Sequence, residues 1–424
     1  MSLVAIDQDV LVVGGGLAGM TAAIRAARAG ARTRLVSRGA STLRHASGLI
    51  DVLGYTPEGE GPLVDPFDAL AGLPDTHPYR RAGPEAIEAG LALFDDIVGD
   101  AYRGGHTRVN ALVPTGGGAV KPTARYPVSV APGLAGDGRD ALLVGLAELP
   151  AFDAELAAAH LDEAVPGGVR GVTVQFPADL VPDATVTRFA RLLDRNAVPD
   201  GSDDLRRVLA ERIAPHLSGE SRVGLPAVLG RDHPAEVRAA IERTLSVDVF
   251  EIPLGPPSVP GLRLDGLFSA AVDRAGVLVE TGNPVVGFDA AEGHIERVLV
   301  DHSGTDVPYT ASQYVLATGG LVGQGITTDR ERVREPLFDC HVAHPPDRYD
   351  WFDDEAFGAH RFARFGVEPD GELRPLAADG DPEFANLRAA GAVLGNYDFA
   401  AEKSGSGVSL ATGFRAGRLA GEYA

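Results

Sequence analysis

Three glycines near the start of the chain have the spacing of a nucleotide-binding turn. Gly14, Gly16 and Gly19 form a G-x-G-x-x-G pattern between an apolar run, residues 10–13, and a segment of small residues, 17–29. The run predicts a buried parallel strand and the segment predicts a helix. In such a turn the first glycine permits the bend, the second lets a pyrophosphate approach, and the third lets helix and strand pack closely. The helix N-terminus adds N–H groups and positive dipole, so the pattern predicts a pyrophosphate site.

The second strand of this unit ends without the acidic residue that most dinucleotide sites use. A strand is predicted over residues 32–36, and the chain continues as Ser37-Arg38-Gly39. An Asp or Glu at this place usually binds the ribose hydroxyls, so ordinary NAD recognition is disfavoured. Arg38 is compatible with a 2′-phosphate, and a flavin nucleotide held by other contacts is equally compatible.

Two further glycine-rich turns favour the flavin. Residues 313–320 predict a strand that runs into Thr-Gly-Gly, and residues 391–398 predict another strand before a Gly/Ser-rich loop. A helix over 404–413 follows that loop, and its positive N-terminus is expected to face the pyrimidine edge of the flavin. The residues predicted to contact the flavin are Gly14, Gly16, Gly19, Ser37, Arg38, Ser47, Gly48, Thr318, Gly319, Gly320, Gly395, Asn396, Gly405, Ser406, Gly407 and Ser409.

Two side chains are candidates for catalysis. Arg263 carries a permanent charge and suits an anion near the flavin ring, with a surface ion pair as the alternative. His45 carries an imidazole, a side chain suited to proton transfer near flavin N5, with a structural or solvated role as the alternative. Lys121 and Arg125 lie in one predicted loop with few other fixed charges nearby, so they do not predict a phosphate site.

Composition narrows the class of protein. The chain has 424 residues, 45% of them hydrophobic, and a formal net charge of −21 from 59 acidic and 38 basic side chains. This acid excess predicts a salt-rich cytoplasm in which ions screen self-repulsion, and it disfavours nucleic-acid binding by bulk charge. A single cysteine, Cys340, excludes an intrachain disulfide and a cysteine-ligated iron–sulfur cluster, and no metal site is predicted. Neither a signal peptide nor a membrane span is expected.

The order of the patterns predicts an α/β fold with an insertion. A Rossmann-like flavin-binding domain is expected from residues 1–78 and 265–424, and an inserted mixed α/β cap or substrate domain from residues 79–264. Within these, the patterns predict helices over 84–98, 185–193 and 234–245 (after an Asp232 cap), and a strand over 168–176. A β-meander is predicted from short strands over 277–280, 283–288, 294–302 and 307–316.

Motifs along the whole chain resemble one family. In order they are residues 14–19, 47–51, 77–79, 190–194, 256–264, 334–337, 365–367 with 373–375, 391–395 and 404–407. The chain resembles the B subunit of anaerobic glycerol-3-phosphate dehydrogenase, within the fumarate-reductase-like flavoproteins, from a salt-adapted organism. Pro-Pro-Ser-Val-Pro-Gly-Leu-Arg, residues 256–263, is the most specific motif. The last loop has serine where the family often has cysteine, so no role for a thiol carries over.

The resemblance implies one flavoprotein subunit of a three-subunit enzyme. That enzyme oxidises sn-glycerol 3-phosphate to dihydroxyacetone phosphate and passes electrons to quinone. The A subunit is FAD-dependent, the B subunit is assigned FMN, and the C subunit carries iron–sulfur clusters at the membrane. The identity of the flavin stays open, because the resemblance implies FMN and the dinucleotide-type turn favours FAD. The role of the subunit also stays open between substrate oxidation and electron relay, and relay is favoured.

Two alternatives belong to other classes. One is a stand-alone flavin oxidoreductase of the fumarate-reductase or ketosteroid-dehydrogenase kind, and the other is a flavin-retaining scaffold with no redox role. The expected location is the cytoplasm, or the inner face of the cell membrane through a partner subunit.

Overall fold

The computed structural model describes residues 5–181, 183–196 and 204–424. The chain divides into two compact units, of which unit 1 comprises residues 1–42, 51–98 and 267–424 and unit 2 comprises residues 43–50 and 99–266. These boundaries differ from the expected ones in three places. Residues 79–98 belong to unit 1 rather than to the insert, and residues 43–50 and 265–266 belong to unit 2.

The described strands are numbered in chain order. They are β1 Ile6–Val13, β2 Thr33–Ser37, β3 Tyr102–Arg103, β4 Ala111–Pro114, β5 Val120–Thr123, β6 Tyr126–Pro127, β7 Ala141–Leu146, β8 Val169–Val174, β9 Arg222–Pro226, β10 Asp248–Ile252, β11 Leu278–Thr281, β12 Val285–Ala291, β13 His294–Asp301, β14 Asp306–Leu316, β15 Thr327–Thr328, β16 Val333–Arg334 and β17 Leu387–Ala389.

The described α-helices are numbered in the same way. They are α1 Leu17–Arg28, α2 Pro78–Ala82, α3 Pro84–Val98, α4 Ala154–Asp162, α5 Val186–Arg195, α6 Leu205–Ile213, α7 Pro234–Leu245, α8 Val259–Arg274, α9 Phe399–Glu402 and α10 Gly405–Glu422.

Unit 1 is built on one mixed sheet with the order β11-β2-β1-β14-β13-β12, and β17 also pairs with β14. Five strands run parallel to one another, namely β11, β2, β1, β14 and β17. Strand β13 is antiparallel to both of its neighbours, β14 and β12. Residues 10–13 of β1 are buried, as their continuous apolar run predicts for a strand covered on both faces. Helix α10 packs against α1 and α3, which explains why α3 belongs to unit 1.

Unit 2 is a smaller α/β layer structure. Its sheet has the order β10-β9-β7-β8, with every pair parallel. Alternate residues of β7 enter two separate cores, because successive side chains of a strand point to opposite faces. One core contains side chains of α5, α6 and α7, and the other contains side chains of α4.

The local helix predictions agree with the structure, and three other details do not. Helices lie at residues 84–98, 186–195 and 234–245, but the N-cap of the last is His233 rather than Asp232. Strand β11 pairs in parallel with β2, so the β-meander starts at β12. The strand expected over 391–398 is a 3-10 turn, Gly391–Val393, because Gly391 has a φ of +78° and ends the extended backbone after β17.

Candidate functional site

Three parallel strands of unit 1 end at one cavity. β1 lies between β2 and β14, so the carboxyl ends of these strands meet at the same edge of the sheet. A cavity of about 570 Å³ lies there, lined by the turns that follow the strands, residues 14–16, 37–42 and 317–319, and by residues 323–325 and 335–337. Ligands of open α/β sheets bind at this edge, and the cavity has the size of a small-molecule site.

Glycine is required at the three positions of the first turn for different structural reasons. Gly14 has a φ of +117°, and a Cβ there would lie 2.1 Å from the carbonyl oxygen of Ala317. A Cβ on Gly19 would lie 1.8 Å from the carbonyl oxygen of Gly14. Packing inside the protein therefore explains both. A Cβ on Gly16 would meet no atom of the described residues within 4 Å, so this glycine leaves open space beside the backbone. That is the place where a pyrophosphate approaches in this kind of turn.

The N-terminus of α1 offers the matching donors. Gly16 is the N-cap with an extended backbone, no side chain caps the helix, and its first turn contains no acidic residue. The first N–H groups of a helix have no partner within the helix, and they carry its positive dipole. The turn therefore fits a pyrophosphate with backbone donors alone.

Polar side chains line the rest of this cavity. The Ser37 hydroxyl donates to the carbonyl of Gly39 at 2.5 Å, and exposed Arg38 donates to the Gln324 amide oxygen at 2.5 Å. The Thr318 hydroxyl is buried and has no hydrogen-bond partner in the structure. Buried polar groups are normally paired, so this hydroxyl fits a polar atom of a ligand.

Glu335 also lines this cavity, and the sequence motifs predicted no role for it. It is buried, and its carboxylate accepts hydrogen bonds from the N–H groups of Leu337 and Phe338 at 2.8 and 2.7 Å. Burial raises the pKa of Glu335, although these N–H groups act in the opposite direction. The signal was its place in the Arg-Glu-Pro-Leu motif, residues 334–337.

The predicted C-terminal helix exists as α10, and a carboxylate of the chain lies against its first turn. The Ser406 N–H donates to Asp51 Oδ1 at 2.9 Å, the Ser406 hydroxyl donates to the same oxygen, and the Asp51 N–H donates to Ser406 Oγ at 3.0 Å. Asp51 is thus one negative group that this helix end stabilises. A Cβ on Gly407 would lie 2.1 Å from the Tyr79 hydroxyl, and the Ser409 hydroxyl donates to the Gly405 carbonyl at 2.8 Å.

A buried polar cluster holds the segment before α10. His77 Nδ1 accepts the Tyr79 N–H at 3.1 Å, so Nε2 carries the proton and donates to Glu402 Oε2 at 3.1 Å. Ser404 donates to the same carboxylate oxygen at 3.1 Å. The Tyr397 hydroxyl is buried and has no hydrogen-bond partner among the described residues, and burial raises its pKa.

The remaining predicted contacts of unit 1 occupy tight backbone positions. Asn396 has a φ of +65°, and its Nδ2 donates to Glu368 Oε2 at 3.3 Å. A Cβ on Gly395 would lie 2.8 Å from the Gly366 carbonyl oxygen, and a Cβ on Gly320 would lie 2.7 Å from the Ala392 carbonyl oxygen. Gly319 lines the cavity after β14.

Ser47, Gly48, His45 and Arg263 lie in unit 2. His45 is exposed and ends a 3-10 turn, Thr42–His45. Ser47 lines a cavity of about 390 Å³ together with Lys121, which lies on β5 rather than in a loop. The Gly48 carbonyl accepts a hydrogen bond from the Tyr102 hydroxyl at 2.8 Å.

Arg263 forms an ion pair inside unit 2. Its guanidinium donates to both carboxylate oxygens of Glu251, at 2.6 and 2.9 Å, and to the carbonyl of Gly230 at 2.9 Å. Glu251 is fully buried and also accepts from Ser129 and from the Leu229 N–H. Burial raises the pKa of Glu251, but Arg263 outweighs it and the pKa lies below its ordinary value. The arginine therefore has a structural partner that the sequence did not reveal.

Among the described residues, no helix is both long and apolar enough to cross a membrane. Within the same residues, no three His, Cys, Asp or Glu side chains are grouped to hold a metal ion.

Comparison with known proteins assigns the chain to a class. It matches the family of FAD binding domains over residues 9–408, and it belongs to that family. It is 59% identical over 422 residues to the probable B subunit of anaerobic glycerol-3-phosphate dehydrogenase from Halobacterium salinarum, with 99% of both chains covered. It is 31% identical over 420 residues to the B subunit of the same enzyme from Pectobacterium carotovorum, with 95% of this chain and 96% of that protein covered. The chain belongs to the family of anaerobic glycerol-3-phosphate dehydrogenase B subunits.

These findings confirm the α/β flavin-binding fold and the main functional prediction, and they do not support the two alternatives. They favour FAD as the flavin, in agreement with the dinucleotide-type turn. The Halobacterium relative, from a halophile, agrees with the expected adaptation to salt. A solved 3-ketosteroid Δ1-dehydrogenase from Sterolibacterium denitrificans covers 98% of the chain at a TM-score of 0.44 and 11% identity, which is too distant for a functional conclusion.

Proposed function

We propose that this chain is the flavoprotein subunit of a quinone-linked complex that oxidises sn-glycerol 3-phosphate to dihydroxyacetone phosphate. Its role is to relay electrons from an FAD-dependent A subunit to an iron–sulfur C subunit. The observation that carries the proposal is the turn after β1, where Gly16 leaves open space at the helix N-terminus in a member of the FAD binding domain family.

The residues of unit 1 divide the work of holding the cofactor. Backbone N–H groups of residues 15–18 would bind the pyrophosphate, Ser37 and Arg38 at the end of the second strand would lie beside the nucleotide, and the Thr318 hydroxyl would gain the partner that it lacks among the described residues. The start of α10, with Asp51 bonded to its first turn, would face the flavin ring. A bound flavin supplies hydride and single-electron transfer chemistry.

The charges around the cavity favour relay over substrate oxidation. Among the described residues that line it, Arg38 is the only cation, and Glu335 is the only carboxylate. A phosphate dianion and a hydroxyl that must lose a proton need several donors and a base in reach. The one cysteine, Cys340, is buried, so cluster ligands must come from another subunit. Contact with the membrane is then made through that partner.

Anaerobic stopped-flow spectroscopy tests this division of labour. The isolated chain, purified in molar KCl, retains flavin, and chromatography after acid release identifies FAD. Glycerol 3-phosphate bleaches this flavin slowly in the isolated chain and rapidly once the A subunit is added. The enantiomer sn-glycerol 1-phosphate is the matched control and has no effect in either case. Rapid bleaching of the isolated chain by glycerol 3-phosphate would overturn the relay role, and failure to retain any flavin would overturn the whole proposal.

A further inference from the structure

Four aromatic side chains are exposed in one short segment of unit 1. They are Tyr349, Phe352, Phe357 and Phe362, with exposed fractions of 67, 50, 103 and 38%. Among the described residues, the other exposed aromatic side chains are Phe399 and Tyr423. Only 6% of the chain is aromatic, so composition does not explain this concentration. We name residues 345–365 the aromatic loop.

The aromatic loop is held in one conformation from inside. Trp351 is buried and donates from its indole N–H to the Pro345 carbonyl at 2.8 Å. Its ring makes an edge contact with the ring of Phe365 at 5.9 Å between centroids. The Asp353 N–H donates to His360 Nδ1 at 3.0 Å. A loop that is ordered before binding loses little conformational entropy in a complex.

The outward aromatic side chains of the aromatic loop favour unwanted association in a salt-adapted protein. Exposed aromatic side chains concentrated in one short segment are typical of an interaction patch. Salts that strengthen the hydrophobic effect make such a patch more adhesive. The four side chains are therefore best explained by a surface that becomes covered.

Charge identifies the kind of partner. Residues 347–364 contain five carboxylates and three arginines, a formal charge of −2 with neutral histidines, and the carboxylates of Asp350, Asp353, Asp354 and Glu355 are all on exposed residues. A second copy of this chain, with a net charge of −21, brings like charges together. Electrostatic complementarity requires a surface with arginine or lysine around an apolar pocket.

We propose that the aromatic loop is the surface through which the chain docks to another protein subunit of its complex, one that presents an apolar pocket with a basic rim. The proposal rests on the proposed function, because that function requires partner subunits. Phe357, which is fully exposed, is the anchor that enters the pocket. Aromatic anchors in a partner's pocket carry most of the binding energy of an interface. Asp354 and Glu355 face the basic rim and fix the orientation of the loop at contact.

Binding of the full chain to the A subunit and to the C subunit is measured by interferometry in molar KCl. We expect one of them to bind, and Phe357→Ser to raise that dissociation constant by about tenfold or more. Phe357→Leu, which keeps an apolar side chain of similar reach, retains most of the affinity. Tyr423→Ser, at an exposed aromatic residue outside the loop, is the matched control and leaves the affinity unchanged. Reversing Asp354 and Glu355 together to lysine raises the dissociation constant, because it places like charges in contact.

Three results would overturn the docking surface. They are native affinity in Phe357→Ser, no binding of the native chain to either partner, and a homodimer that Phe357→Ser disrupts. Flavin content is measured in every variant. If the native chain retains no flavin, the proposed function is refuted. If Phe357→Ser has normal flavin content and unchanged affinity for the partner, only the docking surface is refuted.

Discussion

Two glycines of the same turn separate the effect of a ligand from the effect of packing. A Cβ at Gly16 would meet no atom within 4 Å in the part of the chain that the structure describes, and the φ of −80° at this position is open to any residue. A side chain at Gly19 would begin 1.8 Å from the Gly14 carbonyl oxygen. We therefore expect Gly16→Val to weaken flavin binding without harming the fold, and Gly19→Ala to destabilise the fold itself.

The size of the first effect follows from the donors of α1. A hydrogen bond to a charged group contributes about 1.5–3 kcal/mol. If the valine side chain displaces the pyrophosphate from two N–H groups, the dissociation constant rises roughly a hundred- to ten-thousandfold. Flavin-free Gly16→Val keeps the native midpoint of unfolding or gains slightly, since removing a glycine restricts the unfolded chain by about 0.4–1 kcal/mol. Flavin-free Gly19→Ala loses about 1–3 kcal/mol through overpacking.

Flavin titration by fluorescence quenching, with urea unfolding of the flavin-free proteins, measures both quantities. Gly16→Ala is an intermediate step and should weaken binding less than valine does. Native flavin affinity in Gly16→Val would refute a pyrophosphate at this turn. A large loss of stability in the flavin-free variant would show that the open space is filled by the protein itself.

Four further measurements test other parts of the structure. Arg263→Met should lower the free energy of unfolding by about 3–5 kcal/mol, because it leaves the fully buried Glu251 without its partner. The lowered pKa of Glu251 gives stability that is present above its ordinary pKa and lost as the pH falls through its lowered value in the folded state, so urea unfolding of Glu251→Gln should show less acid sensitivity. Burial raises the pKa of Cys340 well above its ordinary value, so its thiol should react with a disulfide reagent at mildly alkaline pH only after unfolding. The melting temperature should rise from dilute buffer to molar KCl as ions screen a net charge of −21, and a flat or falling melting temperature would contradict the salt adaptation.

Patterns that are local in sequence were sufficient for the first turn and for several helices. The G-x-G-x-x-G spacing predicted the turn at the end of β1, and amphipathic periodicity predicted the helices at 84–98 and 234–245. These features depend on neighbours within a few residues, so one sequence contains their full signal.

Features that depend on distant residues were not predictable in the same way. Asp51 and Ser406 are far apart in sequence, and nothing near either residue indicates their contact at the start of α10. The parallel pairing of β11 with β2 is equally non-local, so residues 278–281 looked like the first strand of a meander. The partner of Arg263 was missed because the sequence does not show that Glu251 is buried. Charged residues are almost never fully buried unless they are paired, so a charged residue is not expected inside a core until its partner is known.

Molar salt favours the two kinds of contact that we propose, one with the flavin and one with a partner subunit. At 1 M ionic strength the Debye length falls to about 3 Å, so distant charges hardly attract an anionic cofactor or a partner. Backbone N–H groups at the open side of Gly16 act at hydrogen-bond distance, where salt screens little. Apolar contact through the aromatic loop does not weaken with screening, and excluded salts strengthen it. In such a solvent the carboxylates beside Phe357 refine orientation at contact, while the aromatic side chains supply the affinity.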